Sequence, residues 1–197
     1  GASCAGKVIC RDIGFDPAAA EYIGLQYITY TKEDYKRLPK RYADSHKGTY
    51  GHVLVIAGSK NMAGAAYFSA LAAYRMGAGL VTLYTPESNR CILQQLLPEA
   101  VLKTYPDTAP DISALSDQLN NYQAIILGPG LGQNAASENI VRTVTASDIK
   151  IPLIIDADGL NILSKNMEWL SKSTVPTVIT PHMKELSRLT GHNIQYL

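Results

Sequence analysis

Apolar residues in this chain come in short, dense runs separated by Gly, Pro and polar turns. Val53–Ala57, Leu80–Tyr84, Ala124–Leu127 (AIIL), Pro152–Asp156 (PLIID) and Pro176–Thr180 (PTVIT) are rich in β-branched residues and too short for buried helices. They predict strands covered on both faces. Ala100–Lys103 predicts one further short strand. Between these runs the spacing becomes helical. Gly64–Gly77 is dominated by Ala and Leu, with Gly at each end and a small face of Ala65, Ala66, Ser69 and Ala73 that permits close approach of a sheet or a ligand. Pro86 introduces a helical stretch over Glu87–Leu97, Asp111 caps a helix running to Leu119, and Asn134–Thr145 supplies another. Strands alternating with helices predict an α/β fold: three layers, a largely parallel sheet with helices on both faces. Strand order is not readable from this pattern.

The first 50 residues break the alternation. Lys7–Ile13 resembles a strand entered midway, and Phe15–Tyr50 holds six of the 12 tyrosines together with a basic cluster of Lys36, Arg37, Lys40 and Arg41. Thr31–Asp34 fits a capping box opening a short helix that Pro39 would close. This reads as a connector whose aromatic rings pack on a neighbour. Composition narrows the class. A hydrophobic fraction of 46% with 18% charged residues is that of a soluble globular protein, and 197 residues suffice for one good core. The formal charge of +1 excludes the basic excess of a nucleic-acid or acidic-membrane binder. No run approaches a membrane span or a signal peptide, which points to the cytoplasm. Cys4, Cys10 and Cys91 lack the spacing of a zinc site or a disulfide framework.

In open α/β sheets ligands sit beyond the carboxyl ends of the strands. Four predicted strand ends carry unusual residues: Gly58, Ser59 and the helix start at Gly64; Gly128, Gly130 and Gly132; Asp156, Asp158 and Asn161; Thr180, His182 and Glu185. Each group has a plain structural reading as turn or cap. Two carboxylates beside a strand end also suit a Mg²⁺–phosphate site. His182 follows Pro181 at a helix N-terminus, where the dipole favours a neutral imidazole able to donate or accept a hydrogen bond. Together they converge on one edge and favour a nucleotide-sized ligand.

His46–Ser59 (HKGTYGHVLVIAGS), Met62–Ala66 (MAGAA), Tyr84–Asn89 (YTPESN), Leu97–Ala100 (LPEA), Gly128–Gly132 (GPGLG), Asp156–Asn161 (DADGLN) and Thr180–Gly191 (TPHMKELSRLTG) resemble, in order and spacing, the NAD(P)H-hydrate dehydratase family. The resemblance implies a ribokinase-like fold and repair of NADH or NADPH hydrated at carbon 6 of the nicotinamide. The hydroxyl would be phosphorylated from ATP or ADP with Mg²⁺, and phosphate then eliminated. It further implies that Ala65, Gly132 and His182 contact the hydrated dinucleotide, with Gly58, Ser59, Gly64 and Gly130 giving backbone room, and that Asp158 and Asn161 face the phosphate and metal region. Residues 1–45 resemble the tail of an upstream NAD(P)H-hydrate epimerase domain plus a connector, and residues 46–197 the N-terminal two-thirds of the dehydratase domain of a bifunctional enzyme.

The family's Gly-Gly-x-Gly-Asp turn, with its general-base Asp and anion hole, is not among these residues. The expectation is a chain that holds the dinucleotide side of the site, has negligible turnover alone, exposes an apolar strand edge, and works as a homo-oligomer or with a complementing C-terminal segment. Two alternatives stand beside this one: a ribokinase-like kinase of a vitamin-precursor alcohol, and a non-catalytic dinucleotide-binding or assembly module.

Overall fold

The computed structural model describes Gly14, Ala18, Tyr22 and residues 30–196 except 39, 108 and 172–174. It divides into two compact units, Gly1–Ala43 and Asp44–Leu197. In the first, the Asp34 carboxylate accepts the Thr31 N–H at 2.7 Å and opens a 3₁₀ helix, Lys32–Arg37. The expected stop at Pro39 and the strand expected at Lys7–Ile13 lie outside the described residues. Tyr22, Tyr30, Tyr35 and Tyr42 are exposed.

The second unit is built on a six-stranded sheet: β1 (His52–Ile56), β2 (Leu80–Pro86), β3 (Val101–Tyr105), β4 (Ala124–Leu127), β5 (Leu153–Ile155) and β6 (Thr177–Ile179). All pairings are parallel, in the order β3-β2-β1-β4-β5-β6. Helices α1 (Ala63–Arg75), α2 (Arg90–Leu96), α3 (Ile112–Ser116), α4 (Ala135–Ala146), α5 (Asp158–Leu163), α6 (Met167–Ser171) and α7 (Met183–Thr190) complete it. The three-layer expectation is met. The continuous apolar runs are explained by burial on both faces: β1 sends Leu54 and Ile56 into one core with Tyr84, Ile140, Val141 and Val144, while Val55, and Ala57 just past the strand, enter another with Ala66, Ala70 and Leu83. Helices α1 and α4, which follow β1 and β4, therefore lie on opposite faces.

Some boundaries move. β2 runs on through Pro86, which pairs with Tyr105 at the strand's end, so the helical stretch expected from Glu87 starts as a 3₁₀ turn and becomes α-helical only at Arg90. A proline is tolerated there because a strand terminus has no further ladder bond to lose. Asp111 caps α3 as expected, its Oδ1 accepting the Ala114 N–H at 3.0 Å. That helix ends at Ser116 rather than Leu119, in a segment of Ser and Asp residues (Ser113, Ser116, Asp117) of modest helix propensity. On α1 the buried stripe is Ala63, Ala66 and Ala70, one position round from the face expected, which leaves Ala65 and Ser69 half-buried at its border. Along β6, Val178 and Ile179 are exposed.

The tilted Tyr84 and Tyr105 rings pack 4.7 Å apart on the β2–β3 side. Burial, with a smaller effect from the Asp111 charge, pushes the Tyr84 phenol up to about 12, and burial raises Tyr105 as well. A phenol harder to ionise folded than unfolded contributes stability that is complete below its unfolded value, near 10, and is lost as pH rises through about 12. Urea denaturation between those pH values is expected to show falling stability in the native chain and a shallower fall in Tyr84→Phe.

Candidate functional site

Strand order reverses direction between β1 and β4, and their following helices leave on opposite faces. Beyond their carboxyl ends a crevice must open, the place where doubly wound sheets hold dinucleotides. The two strand ends are tied together there: Gly128 N–H donates to the Ile56 carbonyl at 3.0 Å and Gly58 N–H to the Pro129 carbonyl at 2.8 Å. Gly58 has φ +82°, and a Cβ on it would meet Ala66, Asn89 and Thr85 at 3.1 Å each. Gly130, at φ +61°, lies so close over α1 that a Cβ would stand 2.6 Å from the Ala65 methyl. Gly132 faces Ser59, with 3.8 Å from its Cβ position to the Ser59 hydroxyl. Gly58, Ser59, Ala65, Gly130 and Gly132 are thus brought to one place. A cavity of about 190 Å³ opens beside them, with Ser59, Lys60, Gly132 and Asn134 in its wall. Gly64 has open space around its Cβ position.

Asp158 holds the glycine loop. One carboxylate oxygen accepts the Gly132 N–H at 2.9 Å and the other the Gln133 side-chain amide at 3.0 Å. The turn that presents it is strained: Ala157 has φ +50° and ψ −118°, a region that side chains rarely enter. It is locked by close packing, since a Cβ on Gly128 would fall 2.2 Å from the Asp156 carbonyl oxygen. Next along the edge, Asp156 accepts the Thr180 hydroxyl at 2.9 Å, and Asn161 accepts from the Arg188 guanidinium of α7. Side chains thus link the ends of β4, β5 and β6 in sequence.

His182 caps α7. Its Nδ1 accepts the Lys184 and Glu185 N–H groups at 3.1 and 3.4 Å, while the buried Glu185 accepts the His182 N–H at 3.0 Å. The ring proton is therefore on Nε2, 3.2 Å from Glu185 Oε1, and the imidazole stays exposed. It stands on the same edge as Gly132 but two strands along, about 10 Å at ordinary strand spacing. Lys47 and His46 precede β1, at the opposite end of the strand, where the Lys47 carbonyl packs against Gly79.

Asn89, which closes the Tyr84–Asn89 motif, is given no site role by the sequence. It is 2% exposed, and its amide donates to the Thr85 hydroxyl at 2.9 Å and the Ser59 carbonyl at 3.3 Å, fixing the turn after β1 from the end of β2. The signal for it was modest: an Asn four residues after a strand Thr.

Glycine-lined space at a strand-end crevice suits close approach of a phosphate-bearing ligand, with the Gly58, Gly128 and Gly132 N–H groups themselves bonded within the protein. A protein-built metal centre does not fit: both Asp158 oxygens are engaged, and among the described residues no three His, Cys, Asp or Glu side chains gather to hold an ion.

Fold and crevice together define a doubly wound α/β protein whose candidate ligand site is the crevice at its topological switch point. Residues 53–196 match the NAD(P)H-hydrate dehydratase family, and the chain belongs to that family. It is 39% identical over 155 residues to the ADP-dependent (S)-NAD(P)H-hydrate dehydratase of Listeria monocytogenes, covering 77% of this chain and 53% of that protein. It is 32% identical to the bifunctional NAD(P)H-hydrate repair enzyme of Moorella thermoacetica, over 97% of this chain and 37% of that one. The chain thus spans about half, or less, of the curated relatives it matches. Among solved structures, the ADP/ATP-dependent NAD(P)H-hydrate dehydratase of Bacillus subtilis co-crystallised with ATP/Mg²⁺ superposes with a TM-score of 0.66 at 34% identity, over 84% of this chain and 56% of that one. A ribokinase-like protein of Enterococcus faecalis gives 0.74 at 30% identity, over 84% and 57%. No helix among the described residues is long and apolar enough to cross a membrane.

Asp158→Ala frees the Gly132 N–H and leaves the loop without its anchor. Amide exchange at Gly132 is expected to accelerate, with a loss of about 1–3 kcal/mol in global stability by denaturant titration.

Proposed function

We propose that this chain carries the dinucleotide side of the site of a nucleotide-dependent dehydratase that returns hydrated NADH or NADPH to the intact cofactor. The observation that supports this most is the convergence of Gly58, Ser59, Ala65, Gly130 and Gly132 at the β1–β4 reversal, where backbone comes close enough to receive a pyrophosphate. In this reading Gly58–Ser59 and Gly130–Gly132 bind the dinucleotide, and Ala65 keeps the approach to α1 open because a longer side chain would fill it. Asn89 and Asp158 hold the two loops from behind, so the loops are in place before the ligand arrives. His182 stands exposed on the same edge, and Asn161 with Arg188 braces the β5 end.

By likeness to its relatives, the reaction draws on ADP or ATP with Mg²⁺. When bound, the nucleotide supplies a phosphoryl group that turns the carbon-6 hydroxyl into a better leaving group. The ion would travel on the phosphates and their waters, given the engaged carboxylates described above.

Thermal denaturation of the chain with hydrated NADPH tests the reading. A saturable rise in Tm is expected, absent with a thiazole or pyrimidine alcohol, and reduced at least about tenfold in apparent affinity by Ala65→Leu. Stabilisation by a vitamin-precursor alcohol and not by hydrated NADPH would overturn it in favour of a small-molecule kinase.

A further inference from the structure

The sheet face that carries Leu54, Tyr84 and Tyr105 is roofed on its β3 side by α3, which is only five residues long. So short a roof leaves space beneath it, a cavity of about 320 Å³ walled by Leu54, Tyr84, Tyr105, Leu115 and Tyr122. Its size and apolar, aromatic walls are those of a small-molecule site, provided that a few polar groups fix orientation. Two such groups stand in the lining. At one end, Lys103 donates to the Gln118 side chain and lies 5.8 Å from the centroid of the Tyr122 ring. Among the described residues no carboxylate pairs with it. At the other end are Asp111, whose carboxylate caps α3, and the Tyr84 hydroxyl, which donates to the Asp111 carbonyl at only 3.5 Å. Gln118 and Asp111 are seven residues apart along the roof, about 10 Å at helical rise. The cavity therefore has a cationic pole, an acidic and accepting pole, and flat aromatic walls between them.

We propose that this cavity is a second small-molecule site, separate from the strand-end crevice, and that it takes a small planar aromatic carboxylate with a hydrogen-bond donor opposite its carboxylate. The Tyr84, Tyr105 and Tyr122 rings hold the aromatic body by offset or edge contact. The carboxylate goes to Lys103 because a charge-assisted bond there replaces one to a neutral amide. The reverse orientation is disfavoured, since it brings the ligand carboxylate toward that of Asp111. The donor at the far end meets Asp111 and the Tyr84 hydroxyl instead. Tyr105 also lines the strand-end cavity, so one residue is shared between the walls of both spaces. The inference does not rest on the function proposed above.

Titration calorimetry with 4-hydroxybenzoate as the probe, and 4-hydroxybenzyl alcohol as its neutral counterpart, tests the site. The native chain is expected to bind the acid saturably. Lys103→Met, a change at an exposed position, should weaken the acid about tenfold and leave the alcohol unchanged. Ala114→Phe, which fills the roof side of the cavity, should abolish both while the melting curve stays cooperative; if that variant does not fold, the Lys103→Met comparison decides alone. No saturable binding by the native chain, or equal affinity for the acid in Lys103→Met, would overturn the proposal.

Discussion

The parallel pairing of β1 with β4 is the constraint on which the candidate site depends. These two strands are neighbours in the sheet but far apart in sequence, and the helices that follow them pack into opposite cores. Two parallel strands whose chains leave on opposite faces cannot close the gap between their carboxyl ends. The crevice is therefore a product of topology, and no side chain has to be spent on excavating it. What side chains do is hold its rims. Asn89 secures the Gly58–Ser59 turn and Asp158 the Gly130–Gly132 turn, each from the end of the next strand outward.

That division of labour explains why glycine is indispensable at a few positions. Gly130 must approach Ala65 more closely than any side chain allows, and Gly128 must lie against the Asp156 carbonyl, both in the left-handed region of φ. The resulting interlock of the β4 and β5 turns holds Ala157 in a conformation that would cost roughly 1–3 kcal/mol in isolation. The strain sits one residue before Asp158, so it helps aim the carboxylate at the loop. The same interlock places the strand ends in one continuous row, from Gly132 through Asp158 and Asp156 to Thr180.

Much of the fold was legible in the sequence because burial on both faces leaves an unbroken apolar run, as in Ala124–Leu127. Element ends were less so, since they depend on ladder partners: Pro86 belongs to β2 only because Tyr105 is beside it. The glycines and carboxylates of the edge were visible as residues, and their spacing supported a family likeness. Their partners were not. Asp158 reads as a helix-start Asp with no partner specified; its bond to Gly132 spans 26 residues and follows no periodicity. Asn89 lies within a stretch that looks like an ordinary helix entry. The cavity under α3 depends on how early that helix stops, which propensity alone does not set.

The central claim is that ligand binding happens at the β1–β4 reversal. An amide chemical-shift titration of the ¹⁵N-labelled chain with hydrated NADPH addresses it most directly. The account predicts the largest saturable shifts at Gly58, Ser59, Gly130 and Gly132, with Lys47 and Gly79, at the far end of the strands, unmoved. Shifts concentrated at the amino ends of the strands, or spread evenly over the sheet, would contradict it.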